Sequence, residues 1–219
     1  MSRFLKRAAR ARVLAERYPG AAESLLFVAK ISEWQEKGED PEELCALVRR
    51  IGPEPLRLAS RDVNEAQIEA YFASPDADKP ESFFARVILE TRGVTRAGDA
   101  ANECPRCGHP PQLGVLRAQG DGAALYLGCS LCRNEWVFHR SVCPGCGESS
   151  QEKILFGKTD DFPAVLTQTC DSCWTYLHLI DMSKDPQAVP EADELAAQPL
   201  DVWAIEQGYE KIFPNWIGL

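Results

Sequence analysis

Four Cys-x-x-Cys pairs fall within 70 residues of this 219-residue chain: Cys104/Cys107, Cys129/Cys132, Cys143/Cys146 and Cys170/Cys173. A Cys-x-x-Cys turn sets two thiolates on one side of a tight loop. Two such turns facing each other form the tetrahedral sulfur cage that zinc or iron takes. Eight cysteines therefore predict two four-sulfur sites and two metal ions per chain, iron or zinc, since four-thiolate geometry suits both. Gaps of 21 residues between Cys107 and Cys129, and 23 between Cys146 and Cys170, each suit a β-hairpin that leaves one knuckle and returns to the other. Sequential pairing is the expectation, with crossed partnering of the knuckles as the alternative the spacing leaves open. Gly108 and Gly147 follow cysteines where a knuckle needs φ > 0, and Pro105 and Pro144 stiffen the same turns.

Other uses of paired cysteines fit less well. Disulfides belong to oxidising compartments, whereas the regular repeats, an odd ninth cysteine (Cys45) and the lack of a signal pattern point to a reducing one. Redox-active Cys-x-x-Cys motifs sit at strand-to-helix junctions. These four lie instead among Gly, Pro, Asn and Asp, with strand-like runs at 124–128 and 135–139 between them. His109, His139 and His178 follow knuckles, but four sulfurs leave no vacancy at either site, so they are expected to support the sites or lie on strand surfaces. Neither a Ser/His/Asp arrangement, a phosphate-binding glycine loop nor a His-Glu-x-x-His helix is visible, and the reading is of a protein that is not an enzyme.

Charge narrows the partners. Residues 1–98 hold 16 Lys and Arg against 16 Asp and Glu, whereas residues 99–219 hold 8 against 17, so the whole net charge of −9 resides with the cysteines. A divalent cation in four thiolates leaves each site at −2, which deepens the imbalance. Nucleic-acid affinity rests on Lys and Arg neutralising phosphates, so a nucleic-acid-binding zinc ribbon is disfavoured. The basic N-terminal stretch (Arg3, Lys6, Arg7, Arg10, Arg12, Arg17) reads as a solvated helix face. The apolar run at 25–29 is too short for a signal core or a membrane span, so a soluble cytoplasmic protein without membrane insertion is expected.

The first hundred residues read as helices over 5–17, 21–37 and from Asp40-Pro41 to Gly52. A fourth start lies at Asp62 and a fifth near Pro80, ending at Gly93. Phe27, Trp34, Phe83 and Phe84 are expected to be core rather than ligand-lining, and Cys45 a small buried hydrophobe. The two halves of the cysteine region form a degenerate repeat. Each opens with Cys-Pro-x-Cys-Gly and ends in a second pair before an aromatic strand, 136–139 or 174–178. Helical pattern returns at 192–197 and 200–208, whose Leu195, Leu200, Trp203 and Ile205 are expected to pack inward. The predicted fold is α+β: a helical bundle (1–98), two tandem rubredoxin-like or zinc-ribbon β modules (99–142 and 143–185), and a C-terminal helical tail (186–219).

The chain resembles the formate dehydrogenase accessory protein FdhE family. The likeness runs from the Arg-rich first helix and residues 12–35 through Cys104-Pro-Arg-Cys-Gly, Tyr126-Leu-Gly-Cys-Ser-Leu-Cys-Arg-Asn-Glu-Trp136, Cys143-Pro-Gly-Cys and Cys170-Asp-Ser-Cys-Trp-Thr-Tyr-Leu. It continues to Asp185-Pro, Ala192-Asp-Glu-Leu and Glu206-Gln-Gly-Tyr209. The N-terminal part departs from it, reading as shorter than in the longer members. The resemblance implies a cytoplasmic maturation factor or chaperone that binds the catalytic subunit of a formate dehydrogenase, with rubredoxin-like cysteines and a possible homodimer. It also implies that Cys104, Cys107, Cys129, Cys132, Cys143, Cys146, Cys170 and Cys173 are the metal ligands. A rubredoxin-like iron redox carrier or sensor is the alternative function. Exposed apolar residues around Leu131, Trp136 and Trp174 are the expected contact surface, unless the tryptophans pack the ribbons.

Overall fold

A computed structural model describes residues 1–38, 40–76 and 79–218. The chain divides into two compact units, one of residues 1–95 with 216–218 and the other of residues 96–215.

The first unit is helical: α1 (Arg3–Arg17), α2 (Ala22–Lys37), α3 (Pro41–Ile51), α4 (Glu54–Ala59), α5 (Glu65–Ala73) and α6 (Glu81–Arg92). Local chemistry sets most of the boundaries. Ser2 caps α1 by accepting from the Leu5 amide at 3.2 Å, and Asp40 caps α3 by accepting from the Glu42 amide at 2.9 Å. Helix α5 starts two residues later than expected. Asn64, not Asp62, is its cap, in a reciprocal box with Gln67 that satisfies two backbone donors at once. The one-and-a-half-turn α4 escaped the sequence reading because six residues carry too little periodicity to register.

Ala8, Ala11 and Leu14 of α1 are buried along α2, whose Leu25, Val28 and Ile31 are also inside. Phe27, Trp34, Phe83, Phe84 and Cys45 are core residues as expected, and burial pushes the Cys45 thiol up. The basic first helix is not simply a solvated face. Arg7 is buried: Nε donates to Ser32 Oγ at 2.9 Å, one terminal nitrogen to Glu90 Oε1 at 3.0 Å and the other to Gln35 Oε1. Its guanidinium also lies 4.3 Å from the centre of the Trp216 ring. Glu90 is fully buried, and its charge is answered by Arg7 at 3.0 Å and by the partly exposed Arg3 at 3.8 Å.

The second unit carries a seven-stranded sheet. Its strands are β1 (Pro111–Gln119), β2 (Gly122–Cys129), β3 (Glu135–Phe138), β4 (Ile154–Lys158), β5 (Val165–Cys170), β6 (Thr175–Asp181) and β7 (Glu210–Lys211). Each half of the repeat forms a three-stranded antiparallel meander, β1-β2-β3 and β4-β5-β6. The two meanders join edge to edge in the order β3-β2-β1-β6-β5-β4, because β1 pairs in parallel with β6 from Gly114↔Leu179 to Leu116↔Asp181. Gly114 lets the strands close at that seam: a Cβ there would come within 2.4 Å of Leu179 Cδ2 and 2.9 Å of Leu125 Cδ1, so those side chains would have to shift. Strand β7 pairs with the start of β6. The ribbons thus share one core of Leu116, Leu125, Leu127, Leu177 and Leu179.

Helices α7 (Pro190–Ala196) and α8 (Gln198–Glu206) follow the sheet. Leu195 is buried as expected, but Trp203 and Ile205 are 43% and 54% exposed, while Glu194 and Asp201 are wholly buried. The tail has turned acidic residues inward, because the sheet supplies them with partners. No helix among the described residues is long and apolar enough to cross a membrane.

Candidate metal centres

The eight cysteines form two groups, Cys104, Cys107, Cys129 and Cys132, and Cys143, Cys146, Cys170 and Cys173. Within each, the sulfurs all lie within 4.8 Å of one another. The groups are sequential, not crossed. In each, one pair comes from the turn before the meander and the other from the turn between its last two strands. Both opening knuckles fold alike. Gly108 N donates to Cys104 O at 2.8 Å with φ 72°, and Gly147 N donates to Cys143 O at 2.9 Å with φ 77°. The closing knuckles place non-glycine residues in the same left-handed region, Arg133 (φ 60°) and Trp174 (φ 57°). That conformation costs about 1–2 kcal/mol per residue.

Sulfur separations test whether an ion fits. Bonds of about 2.3 Å in a tetrahedron require sulfurs about 3.8 Å apart. Cys104 and Cys132 are 3.6 Å apart, Cys107 and Cys129 3.4 Å, Cys143 and Cys173 3.7 Å, and Cys146 and Cys170 3.8 Å. Bare thiols in these cages perturb one another strongly. Hydrogen bonding from Cys107 lowers Cys104, burial raises Cys129, and burial pushes Cys143 up to about 12. A divalent cation supplies the charge that lets all four sulfurs ionise together. Amides already face the sulfurs: Leu131 N and Cys132 N lie 3.3 and 3.4 Å from Cys129 Sγ, and Gly145 N lies 3.3 Å from Cys143 Sγ.

The histidines stand apart from both groups. His109 is buried beside the first knuckle, where its carbonyl accepts from Cys104 N at 2.9 Å, and His139 is exposed. His178 is neither a support for a site nor a strand-surface residue. It lies inside a buried polar network that the sequence reading missed. Its Nε2 donates to Asp201 Oδ1 at 2.9 Å, and its Nδ1 is 3.1 Å from Thr167 Oγ1. Tyr176 donates to the same Asp201 oxygen at 2.8 Å, as does Lys211 Nζ at 2.8 Å. Lys211 also pairs with Glu194, which accepts from Gln112 at 3.3 Å and from Asn215 at 3.4 Å.

Burial works against the Asp201 carboxylate, but the His178 hydrogen bond and the Lys211 charge outweigh it and hold its pKa down at about 2. Burial likewise opposes the Lys211 charge, yet Glu194 and Asp201 raise its pKa. The only signal in the sequence was acidic residues at helical spacing within an apolar tail, which reads equally as a solvated face.

The expected contact residues separate. Leu131 is fully buried and offers nothing to a partner. Trp136 is half-buried and donates from Nε1 to Ala101 O at 3.0 Å. Trp174 is 54% exposed, its ring centre 5.5 Å from that of Tyr209.

A family model described as the FdhE central domain matches residues 103–140, and one described as the FdhE C-terminal domain matches residues 142–217. Together they take in over half of the chain and all eight clustered cysteines. The chain belongs to the FdhE family. A "Protein FdhE homolog" of Aquifex aeolicus is 34% identical over 118 residues, 53% of this chain and 42% of that protein. Its namesake from Pseudomonas aeruginosa is 39% identical over 117 residues, covering 51% and 38%. "Protein FdhE" of Escherichia coli O9:H4 is 31% identical over 160 residues, covering 68% and 51%. The chain thus spans about half or less of the length of these FdhE relatives in sequence. In structure the likeness extends further: the crystal structure of the FdhE protein from Pseudomonas aeruginosa matches with a TM-score of 0.72 at 25% identity, covering 99% of this chain and 96% of that one.

Proposed function

We propose that this chain is an FdhE-type accessory protein that holds two metal ions, iron or zinc, through its eight clustered cysteines and helps a formate dehydrogenase reach its active form. The observation that carries this reading is that each cage offers four thiolates at tetrahedral spacing. A four-thiolate ion has no open position for substrate or water, so its role is to hold structure rather than to catalyse. Membership of the FdhE family supplies the formate dehydrogenase connection, and the fit of both cages supports the ligand assignment.

In this reading the protein acts in the cytoplasm by binding the catalytic subunit. Trp174 offers exposed apolar surface beside the second cage, and β4 and α8 add exposed Leu155, Phe156, Trp203 and Ile205 on the same unit. Trp136, tied to Ala101, serves to pack its ribbon. Capture of partners from formate-respiring cells tests this directly. The tagged chain is expected to retain the catalytic subunit, and its deletion to leave formate dehydrogenase synthesised but inactive. Trp174→Ala, with full metal content verified, is expected to lose capture while Trp136→Ala keeps it. Intact formate oxidation in the deletion strain refutes the reading.

A further inference from the structure

The two cages are built alike but covered differently. In the first, Cys104, Cys107, Cys129 and Cys132 are 0%, 0%, 1% and 3% exposed. Ser130 and Leu131, the residues between its closing cysteines, are completely buried. A strap formed by residues 96–98 lies over its opening knuckle. Arg96 N donates to Arg106 O at 2.7 Å, and Gly98 sits so close that a Cβ there would come within 2.5 Å of Cys104 O.

The second cage is covered less: Asn102 Nδ2 donates to Pro144 O of its opening knuckle at 2.9 Å, but its Cys146 side stays exposed among the described residues. Cys143 and Cys170 are buried, but Cys146 is exposed and Cys173 partly so. Gly145, Gly147 and Ser172 are exposed around them, and no described residue lies within 4 Å of where a Gly147 Cβ would be. The position a Gly145 Cβ would take is 2.9 Å from Thr175 Oγ1, which itself lies 3.1 Å from Cys173 Sγ, so the open edge of this cage is at Cys146 and not at the buried Cys143.

Exchange of a thiolate-bound ion needs an incoming ligand to approach the metal before the old bonds break, and the shell around a site controls that approach. We infer that the second cage is the exchangeable one, surrendering its ion to a competing chelating ligand through the open edge at Cys146, while the first keeps its ion as a permanent part of the fold. On release, the ion passes to the competitor and the freed thiolates take up protons from water. This inference rests on the ligand assignment proposed above.

The test uses the full chain loaded with two zinc ions and challenged with excess 4-(2-pyridylazo)resorcinol, whose colour reports each ion released. Two phases of one equivalent each are expected, separated by at least about tenfold in rate. Iodoacetamide labelling stopped after the fast phase is expected to mark Cys143, Cys146, Cys170 and Cys173 and to spare the other four. Cys146→Ser is expected to abolish the fast equivalent and leave the slow one. If that variant does not fold, the wild-type labelling pattern decides alone. Labelling of the Cys104 group first, or release of both ions in one phase, overturns the inference and leaves the accessory reading standing. A chain that never holds two ions overturns the ligand assignment and this inference together.

Discussion

Replacing Lys211 with methionine isolates what the buried network contributes, because it keeps most of the apolar stem and removes only the cation. Lys211 is 5% exposed at its side chain, and Glu194 and Asp201 are 0% exposed, so bulk water screens none of the three. Removing one partner of a buried ion pair leaves an uncompensated charge and costs about 3–5 kcal/mol. Here one cation answers two carboxylates, which raises the loss. Glu194 retains Gln112 and Asn215, and Asp201 retains Tyr176 and His178, which lowers it.

The balance is a loss of about 4 kcal/mol, or about a thousandfold in the folded-to-unfolded ratio. Urea unfolding of the metal-loaded protein at neutral pH measures it, with an unchanged denaturant slope showing that the loss is one of stability. Lys211→Met with Glu194→Gln and Asp201→Asn removes all three charges and is expected to regain about 2 kcal/mol.

The pH dependence has a definite sign. Asp201 sits below its unfolded pKa in the wild type, so its contribution is full above about pH 4 and is lost only as pH falls toward about 2. In Lys211→Met the buried Asp201 carboxylate loses the cation that helps hold its pKa down, so its pKa rises and the deficit against wild type is expected to shrink as pH falls. A deficit under about 1 kcal/mol, or a triple variant no better than the single one, refutes this account of why the tail turns its acids inward.

In the helical unit, Arg7→Ala is expected to cost about 3–5 kcal/mol by removing the buried cation that answers Glu90, measurable as a lowered urea midpoint. Metal analysis of anaerobically purified protein is expected to return two ions per chain, with absorption spectra separating colourless zinc from visible iron-thiolate bands. Cys104→Ser is expected to abolish soluble protein, since binding free energy on the order of 10 kcal/mol is folding free energy in units this small. Fluorescence anisotropy with DNA or RNA at physiological salt is expected to show no submicromolar, salt-sensitive binding, because the cysteine-bearing half carries the whole net charge of −9.

What the sequence by itself determined was local chemistry. Four Cys-x-x-Cys repeats with Gly108 and Gly147 behind them specify knuckles, and two nearly equal gaps favour sequential closure, although only the structure separates it from a crossed one. Breakers and caps such as Pro41 and Gly93 mark most of the helices, since those signals act within a few residues of the backbone they control. Tertiary structure alone decided the rest. The parallel seam between β1 and β6 joins strands 65 residues apart at Gly114 and Leu179, and no local pattern encodes which edges meet. Burial of Arg7 with Glu90, and of Lys211 with Glu194 and Asp201, runs against the polarity each residue displays in sequence. A charge is affordable inside only when its partner arrives from another element, so its place is a property of the assembled fold. The unequal cover of the two cages has the same origin: identical spacing makes identical knuckles, but the segments that pack over them decide which one water can reach.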